Sequence, residues 1–195
     1  MRSPIYSPEH EAFRDVAREF LVREVQPHYA EWDAAGLIPR SFFDKLADLG
    51  ICGMQIPEKY GGAGCESFVY SAVWAAEVAR AYVNLGGLNV HLNVVLPYFL
   101  LNTDDEQKQR WLPPMARGEV LTAIAMTEPG TGSDLAGIRT SAQRDGDHYV
   151  LNGAKTFITG GINADLVVVV ARTGRGEDRR AGLSLIVVAV FYSHL

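Results

Sequence analysis

The sequence predicts an α+β protein in which an N-terminal all-helical domain is followed by an antiparallel, β-barrel-like domain that is incomplete. Up to about residue 118, apolar side chains recur at the spacing of amphipathic helices. After Leu121 the pattern changes to short runs of β-branched and aromatic residues, with Asp145-Gly146 and Asn152-Gly153 between them. Both dipeptides are strong hairpin signals, and strands that follow helices indicate segregated α and β parts. We therefore expect a helical domain over residues 1–118 and a truncated β domain over residues 119–195.

Capping residues and prolines set the limits of the predicted helices. Serine and threonine favour helix N-termini, whereas glycine and proline end helices. The predicted N-caps are Ser7, Ser41, Ser67 and Thr103, and the predicted ends or bends are Pro27, Gly50 and the pair Pro113-Pro114. The helical spacing also predicts that five apolar side chains are buried: Phe13, Phe20, Leu46, Val73 and Ala76.

Four runs after Leu121 are predicted strands, because they are short, rich in β-branched or aromatic residues and bounded by turn residues. They are Thr140–Arg144, Tyr149–Leu151, Lys155–Thr159 and Leu166–Ala171. The two hairpin dipeptides between them predict antiparallel pairing of neighbouring strands.

Residues 81–103 carry no Asp, Glu, Lys or Arg, and a stretch of that length could span a bilayer. The stretch nevertheless contains several asparagines and His91, and each polar group in hydrocarbon would need a partner. We therefore expect a helix inside a globular protein and no membrane span. We interpret His91 as a buried, hydrogen-bonded side chain rather than as an acid or a ligand.

Composition excludes several classes of function. Eighteen Lys and Arg against 23 Asp and Glu give a net charge of −5, with no basic run, which argues against nucleic-acid binding. Cys52 and Cys65 form neither a disulfide framework nor a CxxC metal pair, so no metal site is expected. The N-terminus has no apolar signal core and carries early acidic residues, which favours a cytoplasmic protein.

The segment 125–134, Ala-Met-Thr-Glu-Pro-Gly-Thr-Gly-Ser-Asp, predicts a tight loop after a strand. Its glycines allow backbone N–H groups to point outward together, which suits an anion such as a pyrophosphate. A dinucleotide fingerprint needs glycine or alanine three residues after Gly132, where this chain has Leu135. From the residues alone, an ordinary turn without a ligand remains an alternative. Glu128 is interpreted as fixing the loop, with a role as catalytic base as the weaker alternative.

Four landmarks in order give the chain a resemblance to the acyl-CoA dehydrogenase family. They are Pro57–Gly62, Glu106–Lys108 followed by Leu112-Pro113, Thr127–Asp134, and Asn152–Gly160. The resemblance covers roughly residues 5–188, and the final residues 189–195 do not look like the family's continuation. It implies a helical domain, a middle β domain and a C-terminal helical bundle, of which this chain lacks the last.

The resemblance also implies a flavin site with FAD as cofactor. The residues that would line it are Ile124, Ala125, Met126, Thr127, Glu128, Pro129, Gly130, Thr131, Gly132, Ser133, Phe157, Ile158 and Thr159. Phe157 would flank the flavin ring, Thr159 would offer its hydroxyl near flavin N5, and Ser133 would also approach the acyl-CoA substrate. From the residues alone, Phe157 could instead pack in the core of a strand, and Thr159 could simply end that strand.

The implied reaction is α,β-dehydrogenation of an acyl-CoA thioester, with proton abstraction at Cα and hydride transfer from Cβ to flavin N5. Electrons would pass to an electron-transfer flavoprotein, and the intact protein would be a homo-oligomer, either a tetramer or a dimer. The catalytic base is expected in the C-terminal domain, so none of these 195 residues is assigned to it. Two alternatives remain: a truncated, non-catalytic fragment that binds flavin or acyl-CoA, and an acyl-CoA oxidase that uses O₂.

Overall fold

The computed structural model describes residues 5–65, 67–174 and 181–190. The segment 191–195, which belongs to the end considered above, lies outside them. The helices are α1 Pro8–Phe20, α2 Tyr29–Ala35, α3 Ser41–Asp48, α4 Val69–Arg80, α5 Leu88–Val90, α6 Leu96–Asn102 and α7 Asp105–Ala116. Short π-helical turns at Leu21–Val25 and His91–Val95 extend α1 and join α5 to α6.

The predicted helix starts are confirmed at one position and displaced at the others. Ser7 caps α1 in a capping box with His10. In α7 the N-cap lies one residue later than the predicted Thr103, at Asp104, whose carboxylate accepts the Gln107 amide in a capping box. Ser41 is the first helical residue of α3 and caps nothing.

Two further helix signals were also misleading. Ser67 lies two residues before α4 and accepts the Val69 amide at 3.3 Å, but the N-cap position itself is Phe68. The prolines 113 and 114 do not stop α7, which continues to Ala116. Their rings lie in the last turn, and their carbonyls still accept the amides of Arg117 and Glu119.

The buried face of α4 differs from the prediction. Phe20, Leu46 and Val73 are buried as expected, and Phe13 packs half-buried against them, but Ala76 is exposed. The position facing the neighbouring helix is taken by Glu77 instead, whose carboxylate binds Arg14 and Arg18 of α1. Apolar spacing overlooked this position because a paired carboxylate occupies it.

Residues 88–102 of the uncharged stretch form helix within the fold, as predicted, whereas residues 81–87 are turn and irregular structure. The buried side chains of α5, the π-helical turn and α6 include Leu92, Val95, Leu96 and Phe99. None of the helices in the described ranges is long and apolar enough to cross a membrane.

The five strands are β1 Thr122–Ala125, β2 Ser141–Asp145, β3 His148–Asn152, β4 Leu166–Arg172 and β5 Leu183–Ala189. They form one mixed sheet: β2–β3 and β4–β5 are antiparallel, but β1 runs parallel to β4. The prediction of an antiparallel sheet is therefore wrong for the β1–β4 and β2–β4 pairs, which are parallel, and the described strands do not close into a barrel. Hairpin signals report only strands that are neighbours in sequence, and β1 meets β4 after some forty intervening residues.

The predicted strand Lys155–Thr159 is absent, and Asn152-Gly153 does not form a hairpin. Phe157 has a left-handed backbone with φ 56°, which interrupts an extended run. The Asp145-Gly146 hairpin between β2 and β3 is confirmed.

The core links the two halves of the chain. One apolar cluster fills the helical half around Phe42, Leu46 and Trp74. A second cluster joins Leu96 and Met115 of the helices to Ile124 on β1 and Val168 on β4. Strand β1, which leads into the glycine loop, is therefore packed directly on the helical half.

Candidate functional site

The loop after β1 is a tight turn that the backbone closes on itself. The Glu128 amide donates to the Thr131 carbonyl at 2.9 Å, and the Thr131 amide donates back to the Glu128 carbonyl at 3.1 Å. Pro129 and Gly130 form the exposed tip, whereas Ile124 and Ala125 before them are buried in β1. The buried strand therefore presents an exposed turn at a fixed position.

The outer face of this loop offers unpaired donors. Gly130, Gly132 and Ser133 are exposed, and their amides donate to no acceptor within the described ranges. A Cβ added at either glycine would meet nothing within 4 Å, so the face is open. Neither glycine has positive φ, so their role here is an unobstructed backbone rather than an unusual conformation. Such a row of amides suits an anionic group.

Glu128 points inward and holds the loop. Its side chain is 8% exposed and accepts the Arg139 amide at 2.8 Å, the Thr140 amide at 2.9 Å and the Lys155 ammonium at 2.9 Å. Burial alone would raise the pKa of Glu128, but the donors on Thr140, Arg139 and Lys155 outweigh it and lower that pKa to about 2. A carboxylate that is this acidic and already engaged is a poor proton acceptor at neutral pH. The geometry favours a loop-fixing role for Glu128 over that of a catalytic base.

A second segment, 155–159, lies against the loop. The Lys155 ammonium donates to the Met126 carbonyl at 2.9 Å, and the Thr156 amide donates to the Thr127 carbonyl at 3.1 Å. Sequence reasoning assigned no role to Lys155. A lysine inside a predicted strand was the only signal available for it.

Phe157 is held in a costly conformation with its ring in the open. It has φ 56° and is 90% exposed, so the alternative of core packing is wrong. Left-handed backbone at a non-glycine residue costs roughly 1–3 kcal/mol and concentrates at functional sites. Thr159 is also exposed, and Ile158 between them is half-buried. With no strand present, the alternative that Thr159 merely ends one is wrong as well.

A cavity of about 380 Å³ lies between the helical half and the segment 158–163. Its walls include aromatic and apolar side chains of the helical half, among them Trp32, Ile38 and Phe43. His91 also lines it and is buried.

His91 joins this wall to the start of β1. Its Nδ1 lies 2.8 Å from the Thr122 hydroxyl oxygen and accepts the Thr122 amide at 3.1 Å. Burial disfavours the imidazolium and lowers the pKa of His91 to about 4, although Asp165 raises it slightly. The ring is therefore neutral at neutral pH, and its Nε2 has no hydrogen-bond partner in the described part of the chain. The expectation of a buried histidine is confirmed, and its hydrogen bonding is confirmed for Nδ1 but not for Nε2.

Two glycines cross where the helical half meets the segment 158–163. A Cβ added at Gly87 would lie 2.6 Å from the Gly160 Cα, and one added at Gly160 would lie 2.9 Å from the Gly87 Cα. Nearby, Arg40 donates to the carbonyls of Asn163 and Glu119 at 2.7 and 2.8 Å and pairs with Asp165 at 2.8 Å. These contacts fix the segment that carries Thr159, and sequence reasoning did not find them.

No group of three His, Cys, Asp or Glu side chains within residues 5–65, 67–174 and 181–190 could hold a metal ion. Burial raises the pKa of the Cys52 thiol, with a smaller contribution from Asp44, to about 12. Cys52 is therefore a neutral, inert thiol at physiological pH.

Comparison with known proteins gives two family matches. Residues 7–119 match the family "Acyl-CoA dehydrogenase, N-terminal domain", and residues 123–191 match "Acyl-CoA dehydrogenase, middle domain". A long-chain specific mitochondrial acyl-CoA dehydrogenase of Sus scrofa is 42% identical over 187 residues, which are 94% of this chain and 43% of that protein. A 3-(aryl)acrylate reductase of Clostridium sporogenes is 38% identical, over 93% of this chain and 48% of its own length.

The fold is also similar to that of a solved structure. An acyl-CoA dehydrogenase from Geobacillus kaustophilus superposes with a TM-score of 0.93 at 46% identity, over 96% of this chain and 50% of that chain. This chain spans about half the length of the curated relatives it matches.

Proposed function

The chain belongs to the acyl-CoA dehydrogenase family, and on that premise we propose that it forms the helical and middle parts of an FAD-dependent enzyme that dehydrogenates an acyl-CoA thioester. The observation that carries this proposal is the pairing of two exposed segments. The loop Thr127–Ser133, in which Gly130, Gly132 and Ser133 have unpaired amides, lies directly beside the segment that presents Phe157 and Thr159.

The residues present fit a flavin dinucleotide. An anionic diphosphate needs converging N–H donors, and Gly130, Gly132 and Ser133 leave theirs unpaired on an open face. A planar aromatic ring needs a flat apolar surface, and Phe157 offers an uncovered one. FAD supplies hydride acceptance when it is bound. We propose that the site consists of residues 124–133 and 157–159, with Ser133 also reaching the substrate.

The chain's own groups would bind and orient rather than transfer protons. Glu128, the carboxylate on the loop, is engaged by three donors and stays ionised at neutral pH. We therefore propose that the base for the α-proton lies outside the residues described here. A hydroxyl at Thr159 and the amides of the loop would stabilise charge that develops on the bound ring.

A second candidate function is binding of flavin or acyl-CoA without turnover, which is favoured by the three donors that already engage the Glu128 carboxylate. We further propose an electron-transfer flavoprotein as electron acceptor, assembly of the intact protein as a homo-oligomer and, from composition, a cytoplasmic location.

Flavin titration tests the proposal. FAD fluorescence is followed while the purified chain is added, for the parent, Phe157→Ala and Tyr82→Ala. Tyr82 is the matched control, because it has φ 57° and is 92% exposed but lies at the end of α4. We expect saturable binding by the parent, about tenfold weaker binding for Phe157→Ala, consistent with the loss of one stacking contact, and no change for Tyr82→Ala. No saturable binding by the parent, or equal effects of the two variants, would contradict the proposal.

A further inference from the structure

Lys155 makes contacts that flavin binding alone does not require. Its side chain is 12% exposed, and its ammonium donates to two acceptors on the neighbouring loop, the Met126 carbonyl and the Glu128 carboxylate, each at 2.9 Å. The loop acceptors lie more than twenty-five residues earlier in the chain. Burying a lysine is costly unless it is paired and hydrogen-bonded, so this arrangement needs a reason.

We propose that Lys155 is a positioning residue that fixes the spacing between the loop 126–133 and the segment 155–159, which presents Phe157 and Thr159. The proposal rests on the proposed function, because a fixed spacing matters only if both segments meet one flavin. The other described hydrogen bond between them, from the Thr156 amide to the Thr127 carbonyl, fixes one point only. Lys155 adds two more hydrogen bonds, to the Met126 carbonyl and the Glu128 carboxylate, on the inner side of the loop.

The contacts form a closed ring that leaves little freedom. Glu128 accepts the amides of Arg139 and Thr140, so its carboxylate is tied to the start of β2. Gly153 then passes Thr140 so closely that an added Cβ would lie 2.7 Å from the Thr140 Cα. The chain reaches Lys155 two residues later, and its ammonium returns to Glu128. Each contact of this ring restrains the next one. The spacing between the two segments therefore does not depend on the hydrogen bond from Thr156 to Thr127 alone.

The test compares Lys155→Met, Lys155→Arg and two controls in the full 195-residue chain. Lys45→Met removes another Lys–Glu pair, with Glu24 at 2.6 Å, on the far helical surface. Val73→Ala removes buried apolar volume in the helical half and lowers overall stability without touching the loop. Two quantities are measured: hydrogen exchange of the Thr156 amide without flavin, and the dissociation constant for FAD.

We expect Lys155→Met to raise both the Thr156 exchange rate and the FAD dissociation constant by about tenfold relative to each control, because the variant loses both hydrogen bonds of the ammonium. Lys155→Arg keeps the positive charge, so we expect its Thr156 exchange rate and its FAD dissociation constant to return most of the way to those of the parent. Faster exchange with unchanged FAD affinity would overturn the positioning role while leaving the proposed function intact. If the Thr156 amide exchanges no faster in Lys155→Met than in Val73→Ala, Lys155 does not fix the spacing and the proposal is overturned. If the parent binds no FAD, the proposed function fails, and the exchange measurement still decides whether Lys155 fixes the spacing.

Discussion

Replacing Gly87 by alanine should weaken the contact between the helical half and the segment that carries Thr159. The backbone at Gly87 has φ −68°, which alanine adopts without strain, so the only penalty is steric. The added Cβ would lie 2.6 Å from the Gly160 Cα, whereas carbon atoms in contact normally lie about 3.5–4.0 Å apart. The obstacle is backbone, so the two segments must separate by about 1 Å.

The cost follows from two opposing effects. Overpacking of this kind costs about 1–3 kcal/mol, and glycine-to-alanine replacement returns about 0.4–1 kcal/mol by restricting the unfolded chain. The middle of each range gives a net loss of about 1.3 kcal/mol, which lowers the melting temperature by roughly 3–5 °C in a protein of this size. Thermal unfolding by circular dichroism measures it.

The control is Gly174→Ala, whose Cβ would meet only the Gly182 Cα at an ordinary 3.9 Å. We expect its melting temperature to equal that of the parent or to rise slightly. Gly160→Ala should lower the melting temperature more than Gly87→Ala does, because Gly160 also has φ +77°, a conformation that alanine adopts only with strain. Equal melting temperatures for Gly87→Ala and Gly174→Ala would refute the glycine crossing.

Three further predictions concern charge and turnover. The folded-state pKa of Glu128 is about 2, below its usual 4.5, so its contribution to the free energy of unfolding is present above pH 4.5 and is lost as the pH falls towards 2. Urea unfolding should show Glu128→Gln to be about 1–3 kcal/mol less stable than the parent at pH 7, and this difference should close at pH 2–3. The pKa of His91 is about 4, below its usual 6.5, so as the pH falls the unfolded chain binds a proton before the folded chain does. The free energy of unfolding should therefore decrease by up to about 3 kcal/mol between pH 6.5 and 4. A free energy from urea unfolding that stays constant over this pH range would contradict a neutral buried ring. Anaerobic mixing of this chain with FAD and acyl-CoA thioesters should give no flavin bleaching, since Glu128 is already engaged; bleaching that Glu128→Gln abolishes would instead make Glu128 the base.

Features that depend on neighbours in sequence were predictable. The N-cap at Ser7, the hairpin at Asp145-Gly146 and the loop around Gly130 each follow from residues within a few positions of one another. Their physics is local, because turn and cap geometry depends on adjacent backbone angles. The sequence also predicted the helical and β halves in the right order.

Features that depend on distant partners were not predictable from spacing. The parallel pairing of β1 with β4 needs a partner more than forty residues away, and nothing within β1 specifies its direction. Glu77 was overlooked because its burial depends on Arg14 and Arg18 of another helix. Phe157 was assigned to a strand because its side chain favours strands, whereas its neighbours hold it in a left-handed conformation.

The contacts that hold the candidate site belong to this second kind. His91 reaches Thr122 across 31 positions, and Arg40 reaches Asn163 across 123. Through them the helical half fixes both ends of the site: the strand that leads into the loop, and the segment that follows Thr159. Because Ile124 and Val168 also pack on buried helical side chains, the β half alone would expose the apolar face on which β1 is placed. The helical half therefore does more than cover one side of the proposed flavin site, because the position of the loop itself depends on it.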